Sequence, residues 1–327
     1  MSVSRKVTPP RLQPQNTTMI VTVTLNPSLD RTLSVAHLRP GELHRAQLIR
    51  EDLGGKGINV SRTLQRLDIP SRIVGYVGGR TGNALRQGLL TEGFAVSFID
   101  VGSEIRQNIT LLDESSGQYT KINELGPAIG LQHAAELEKQ IEQSVQPGDL
   151  WAMCGSPPPG ADLDLYARLI ARVQERDGLA FLDTSGAPLK NGIGANPFAL
   201  KINIEEAAEL LGYDLQGDGE VCQAARELQA KGVRIVLLTR GAQGLVLAME
   251  RETVLAVPPP VSARSSVGAG DATLAGLLWA VSDRCDPVTT ARRAVACGTA
   301  AAMQEGTGVG DRSLVEALLT RIEIRTV

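Results

Sequence analysis

From Leu131 onward the chain alternates short apolar runs with stretches whose apolar residues stand three and four apart. This predicts helix 131–144, strand Leu150–Met153, helix 162–176, strand Leu179–Leu182, helices 204–211 and 220–231, and strand Val233–Leu238. Helices 271–282, 288–304 and 312–321 close the chain, and Gly244–Met249 with Thr253–Val257 reads as an antiparallel pair. Upstream, a β-branched run at Ile20–Leu25 stops at Asn26-Pro27, and Arg72–Val77 and helix Asn83–Glu92 follow. Gly54-Gly55-Lys56-Gly57 opens a helix in which Val60, Leu64 and Leu67 recur at i, i+4 and i+7, on one face. Strands that alternate with helices are joined by crossovers, so they pair in parallel and both faces of their sheet are covered. The rhythm specifies an α/β fold around a largely parallel sheet.

Two segments, about 32–52 and 106–123, break the rhythm. Thr32–Val35 and Arg45–Glu51 alternate as strands do, and Asn108–Asp113 and Gln118–Asn123 flank the turn Glu114-Ser115-Ser116-Gly117. They are expected to form a small sheet projecting as a lid from a domain that spans 19–327. Residues 1–18 are polar, lack the apolar core of a signal peptide, and are expected to be a disordered arm.

Composition removes several classes of function. Thirty-six acidic residues against 33 basic leave no bulk attraction for nucleic acid or an anionic membrane. No run approaches the roughly 20 apolar residues of a membrane span. Cys154, Cys222, Cys285 and Cys297 show neither C-x-x-C nor zinc spacing, as reduced thiols of a cytoplasmic protein would. His37, His44 and His133 are the three histidines, and His37 and His44 read as surface residues of the lid. Chemistry therefore falls to Asp, Lys, Arg or backbone amides.

The most specific segment is Ser265-Ser266-Val267-Gly268-Ala269-Gly270-Asp271-Ala272-Thr273. Two glycines separated by a small residue let backbone N–H groups converge on an anion where a helix begins, and the helix dipole adds to the attraction. Asp271 then falls in the first turn, where it could accept a proton from a hydroxyl attacking the held phosphoryl group. On spacing alone, a plain helix cap accounts for Asp271 equally well. A second glycine loop, Gly54-Gly55-Lys56-Gly57-Ile58-Asn59, brings a lysine and an asparagine to the start of another helix. Neither loop has the spacing of a G-x-x-x-x-G-K-[ST] or dinucleotide fingerprint.

Together the two loops resemble the paired signatures of the PfkB-type, ribokinase-like carbohydrate kinases, over about Met19 to Ile324. Arg106-Gln107-Asn108, Gly155-Ser156-x-Pro158-Pro159-Gly160, Leu182-Asp183-Thr184-Ser185-Gly186 and Lys201-x-Asn203-x-x-Glu206 fall in that family's order. Thr24-Leu25-Asn26-Pro27-Ser28-Leu29-Asp30 and Ser265-Ser266 are similar to its phosphofructokinase branch. The resemblance implies a three-layer α/β/α fold with a β-sheet lid, a homodimer through that lid, and ATP and Mg²⁺ as cofactors. Asp271 would be the base and Gly268, Ala269 and Gly270 the anion hole. Asp30 and Asn59 would hold sugar hydroxyls, with Gly55 near the ring and Lys56, Arg106 and Ser156 candidates for the sugar's existing phosphate. Asn203 and Glu206 would organise Mg²⁺, while Thr239, Gly241 and Gly244, with Lys201 and Ser266, would serve the nucleotide.

The implied reaction is ATP-dependent phosphorylation of a ketohexose phosphate, fructose 1-phosphate first, with tagatose 6-phosphate and fructose 6-phosphate as alternatives. A nucleoside or sugar kinase and a non-catalytic sugar-phosphate sensor are the more distant readings. The chain departs from the family at Lys201-Ile202-Asn203, where Pro is usual, and at Pro157 and Arg240. Losing Pro is expected to free the backbone ahead of Asn203.

Overall fold

The computed structural model describes residues 18–306 and 308–326, so the arm expected over 1–18 lies, but for Thr18, outside the described residues. Among the described residues seven strands run parallel. They are β1 (Ile20–Thr24), β4 (Ser71–Val77), β5 (Ala95–Asp100), β8 (Leu150–Cys154), β9 (Leu179–Asp183), β10 (Ala199–Asn203) and β11 (Ile235–Thr239). The antiparallel strands β12 (Leu245–Met249), β13 (Glu252–Val257) and β14 (Glu323–Thr326) extend one edge. The order is β14-β13-β12-β11-β10-β9-β8-β1-β4-β5. The first strand thus lies inside the sheet, with β4 on one side and β8 on the other. Winding reverses there, and ligands of open α/β sheets bind at such a point, outside the strands' carboxyl ends.

Helices cover both faces, as parallel sheets require. On one side α3 (Leu131–Ser144), α4 (Leu165–Gln174), α5 (Gly186–Ile193), α6 (Ile204–Leu211) and α7 (Asp218–Ala230) pack on residues such as Val23, Met153 and Leu238. On the other, α1 (Lys56–Arg66), α8 (Ala269–Ser282), α9 (Pro287–Ala302) and α10 (Arg312–Leu319) pack on Ile20, Phe181 and Leu247. The remaining helix, α2 (Gly79–Thr91), closes a smaller cluster with Ile58, Ile73 and Val77. This is the expected three-layer architecture.

Strands β2 (Ser28–Val35), β3 (Gln47–Gly54), β6 (Arg106–Asp113) and β7 (Gln118–Asn123) form the expected small sheet, in the order β3-β2-β6-β7. Its first strand begins at Ser28, four residues earlier than expected, so Asp30 is on a strand rather than in a turn. Strands β5, β10 and β14 and helix α5 are additions to the expected elements. The four cysteines are free, with Cys154, Cys222 and Cys297 buried.

Candidate active site

Asp271 and Asn59, 212 residues apart, meet where α8 and α1 begin: Asn59 Nδ2 donates to Asp271 Oδ2 at 2.8 Å. Both helices start from glycine backbone that other residues disfavour, Gly55 at φ 136° and Gly268 at φ 80°. A side chain on Gly55 would also stand 2.6 Å from Thr24 Cγ2, so the first loop lies directly on β1.

Behind this pair sits a carboxylate to which the sequence reading gives no role. Asp183, at the end of β9, is fully buried and receives two lysines. Lys56 Nζ lies 3.2 Å from Asp183 Oδ1, and Lys201 Nζ lies 3.3 and 3.2 Å from its two oxygens. A side chain on Gly270 would stand 2.9 Å from Lys201 Nζ, so that amine reaches the anion loop as well. Two ammonium groups and two carboxylates, Asp183 and Asp271, thus form one cluster.

Its charges set the proton affinities. Burial pushes the Asp271 carboxyl up, as does the Asp183 charge; Asn59 and the two lysines oppose them, and the balance stands at about 6. Asp271 is therefore mostly ionised at pH 7 and close enough to its pKa to exchange a proton. For Lys56, burial pulls the amine down but is outweighed by Asp183, Asp271 and Glu206, so the amine stays charged.

The small sheet supplies the other wall. Register sets Asp30 opposite Asn108 on β6, and Asn108 Nδ2 donates to Asp30 Oδ1 at 2.7 Å. A side chain on Gly54 would collide with the Asp30 carboxylate, which is why this pairing needs glycine on β3. Arg106 Nε donates to the Asn26 carbonyl at 3.1 Å; burial lowers its pKa and Asp30 opposes that. Ser156 lies on an exposed turn, beside Gly155, which faces the Lys56 stem. Buried acceptor oxygens of Asn26, Asn59 and Asn108 have no partner among the described residues. Unpaired buried acceptors are costly, and those of Asn59 and Asn108, side chains that also bond Asp271 and Asp30, suit a ligand rich in hydroxyl donors.

On the far side of Gly270 opens a cleft of about 1160 Å³, lined by Asn203, Thr239, Gly241, Gly244, Ser266 and Gly270 among others. Pro258, Pro259, Val261 and Val295 give it an apolar shelf. The expected nucleotide residues line it, except Lys201, which is buried behind them. Asn203 and Glu206 cap α6 reciprocally: Glu206 N donates to Asn203 Oδ1 at 2.7 Å, and Asn203 N to Glu206 Oε2 at 3.0 Å. The missing Pro therefore does not free Asn203. Ile202 is buried in the β10–β11 ladder and the capping box holds the next residue. His37 is exposed, as expected, while His44 is half-buried, its Nε2 against the Arg39 backbone.

Three kinds of comparison agree with this geometry. A profile described as pfkB family carbohydrate kinase matches residues 23–313. A 1-phosphofructokinase of Rhodobacter capsulatus is 32% identical over 312 residues, 95% of this chain and 99% of its own. Another from Bacillus subtilis is 32% identical over 306 residues, 94% and 99%. The crystal structure of phosphofructokinase-2 from Escherichia coli in complex with potassium superposes with a TM-score of 0.88 at 27% identity, covering 93% of this chain and 98% of that one.

Proposed function

We propose, from the premise that the chain belongs to the pfkB family of carbohydrate kinases, that it transfers the γ-phosphoryl of ATP to a ketohexose phosphate, fructose 1-phosphate giving fructose 1,6-bisphosphate. The observation that carries this reading is the hydrogen bond between Asn59 and Asp271, which puts a buried carboxylate at the junction of the hydroxyl-binding wall and the anion loop. Asp30, Asn59 and Asn108 hold sugar hydroxyls, and Arg106 and Ser156 are left for the phosphate the sugar already carries. Lys56, expected at the sugar's existing phosphate, shares Asp183 with Lys201 and is assigned with it to the transferring group instead. Asp271 takes the proton of the attacking hydroxyl as its oxygen bonds to γ-phosphorus and the bond to the β,γ-bridging oxygen breaks. Amides of Gly268, Ala269 and Gly270 offset charge on the phosphoryl oxygens as it develops.

For the metal, no three His, Cys, Asp or Glu side chains cluster among the described residues. The residues fit Mg²⁺ carried on ATP phosphates with most of its waters, as is common for this ion. The Glu206 oxygen outside the capping box would accept from one such water. Bound there, the ion supplies charge neutralisation and orientation of the phosphates.

The face of the small sheet opposite Asp30 carries Leu33, Leu48, Leu111, Ile109 and Ile122, paired across strands. A second copy of the chain covers it in this reading, giving a homodimer, and the enzyme works in the cytoplasm. Among the described residues no helix is long and apolar enough to cross a membrane.

The test is ADP release with ATP, Mg²⁺ and a panel of fructose 1-phosphate, fructose 6-phosphate, tagatose 6-phosphate and fructose. Highest kcat/KM on fructose 1-phosphate is expected. Highest kcat/KM on either 6-phosphate replaces the substrate, and no turnover of any phosphorylated sugar overturns the reading.

A further inference from the structure

The loop Thr239–Gly244 lines the large cleft, and its second residue, Arg240, does more than line it. The Arg240 side chain is only 6% exposed, and Nη1 meets Asp218 Oδ1 at 2.8 Å. Asp218 is the first residue of α7, and its other oxygen stands 3.8 Å from Arg325 Nη1 on β14. Arg240 Nε is buried with no partner among the described residues, so Asp218 is the anchor of this guanidinium. The loop's own bonds are backbone ones: Arg240 N donates to the Gly244 carbonyl at 2.8 Å, and Gln243 N to the Arg240 carbonyl at 3.1 Å. Gly241 at φ 55° and Gly244 at φ 85° give this backbone wide freedom before folding.

We infer that Arg240 is a positioning residue for the nucleotide, tying the Thr239–Gly244 loop to α7 through Asp218 so that the loop meets ATP already shaped. A loop held in its bound form spares the entropy of ordering it at binding. The tie acts on the loop's backbone and reaches neither the sugar wall nor Asp271, so its effect falls on one substrate. The inference rests on the kinase reading, in which that cleft takes ATP.

Two variants test it. Asp218→Asn removes the anchor's charge without touching the loop, and Arg240→Leu removes the guanidinium while keeping apolar bulk. KM for ATP is expected to rise about tenfold in Arg240→Leu, and several-fold in Asp218→Asn. KM for the sugar phosphate and kcat stay within about threefold, and the double variant is no worse than Arg240→Leu because the two residues act as one unit. Calorimetric titration with a non-hydrolysable ATP analogue should show the same ranking. Equal rises in both KM values, additive effects, or a melting temperature that falls with unchanged KM for ATP would each overturn the inference. Failure of the unsubstituted enzyme to bind the analogue instead overturns the kinase reading beneath it.

Discussion

The glycine loop at Gly54–Gly57 is packed from behind, whereas the loop at Gly268–Gly270 is hemmed in by a movable side chain. Side chains added at Gly55 or Gly57 run into Thr24 of β1, an internal strand held on both sides by β4 and β8. One added at Gly270 meets only the Lys201 amine at 2.9 Å and its Cε at 3.5 Å, the end of a flexible stem. Gly55 and Gly57 are thus demanded by packing and Gly268 by its backbone conformation, whereas Gly270 answers to what approaches its open side. Similar sequence texture hides a structural shelf and a reactive edge.

The sharpest way to break that contrast is at Asp271, on the reactive edge. Asp271→Asn is expected to lower kcat by roughly 10³-fold, in the range for removing a general base, with little change in ATP affinity. The same substitution should stabilise the protein. In the folded chain the Asp271 pKa stands near 6 against an ordinary 3.8, so above pH 6 the ionised group opposes folding, by about 3 kcal/mol. The gain of Asp271→Asn should be full at pH 8 and fade as pH falls from 6 to below 3.8, where both states hold the proton. Melting curves at pH 8 and pH 4.5 check the sign, and a variant that is less stable at pH 8 would remove Asp271 from the reactive edge.

Gly57→Ala and Gly270→Ala then test the two loops directly. Overpacking against Thr24 should cost Gly57→Ala about 1–3 kcal/mol, seen as a lower urea midpoint. Gly270→Ala should keep its midpoint, since Lys201 can swing aside, and lose kcat/KM because the displaced amine leaves the anion loop. If Gly270→Ala is the less stable of the two, the division into shelf and edge fails.

Both loops were legible in the sequence because glycine spacing, a helix start and a polar residue in its first turn are local signals. The sheet's core followed from the rhythm of Ile20–Leu25 and Leu150–Met153. What escaped was non-local. Strand β10 carries Lys201 in the middle of Ala199–Asn203, and a charged residue reads against a buried strand until its partner is known. Helix α5, Gly-Ala-Pro-Leu-Lys-Asn-Gly-Ile, is poor in helix formers and is held by packing on β9 and α4 instead. Asp183 was visible within Leu182–Gly186, but its lysines lie 127 and 18 residues away, and only the fold makes it their common partner.

Asp183 supplies the finest test, because it connects shelf to edge: Lys56 comes from the first loop, and Lys201 touches the second. Its negative charge raises the Asp271 pKa, second to burial. Asp183→Asn keeps an acceptor oxygen for the amines, removes that charge, and frees both ammonium groups to act on Asp271. Each change favours the ionised form, so the acid limb of kcat/KM moves to lower pH. Burial is the larger cause and survives the substitution, which limits how far the limb falls below about 6. The profile is read together with the urea midpoint: a loosened, wetter site also lowers the Asp271 pKa by relieving its burial but lowers the midpoint too, whereas loss of the Asp183 charge alone shifts the profile with the fold intact. An acid limb that stays near 6 in Asp183→Asn would mean that the two loops meet at Asp271 without being coupled through Asp183.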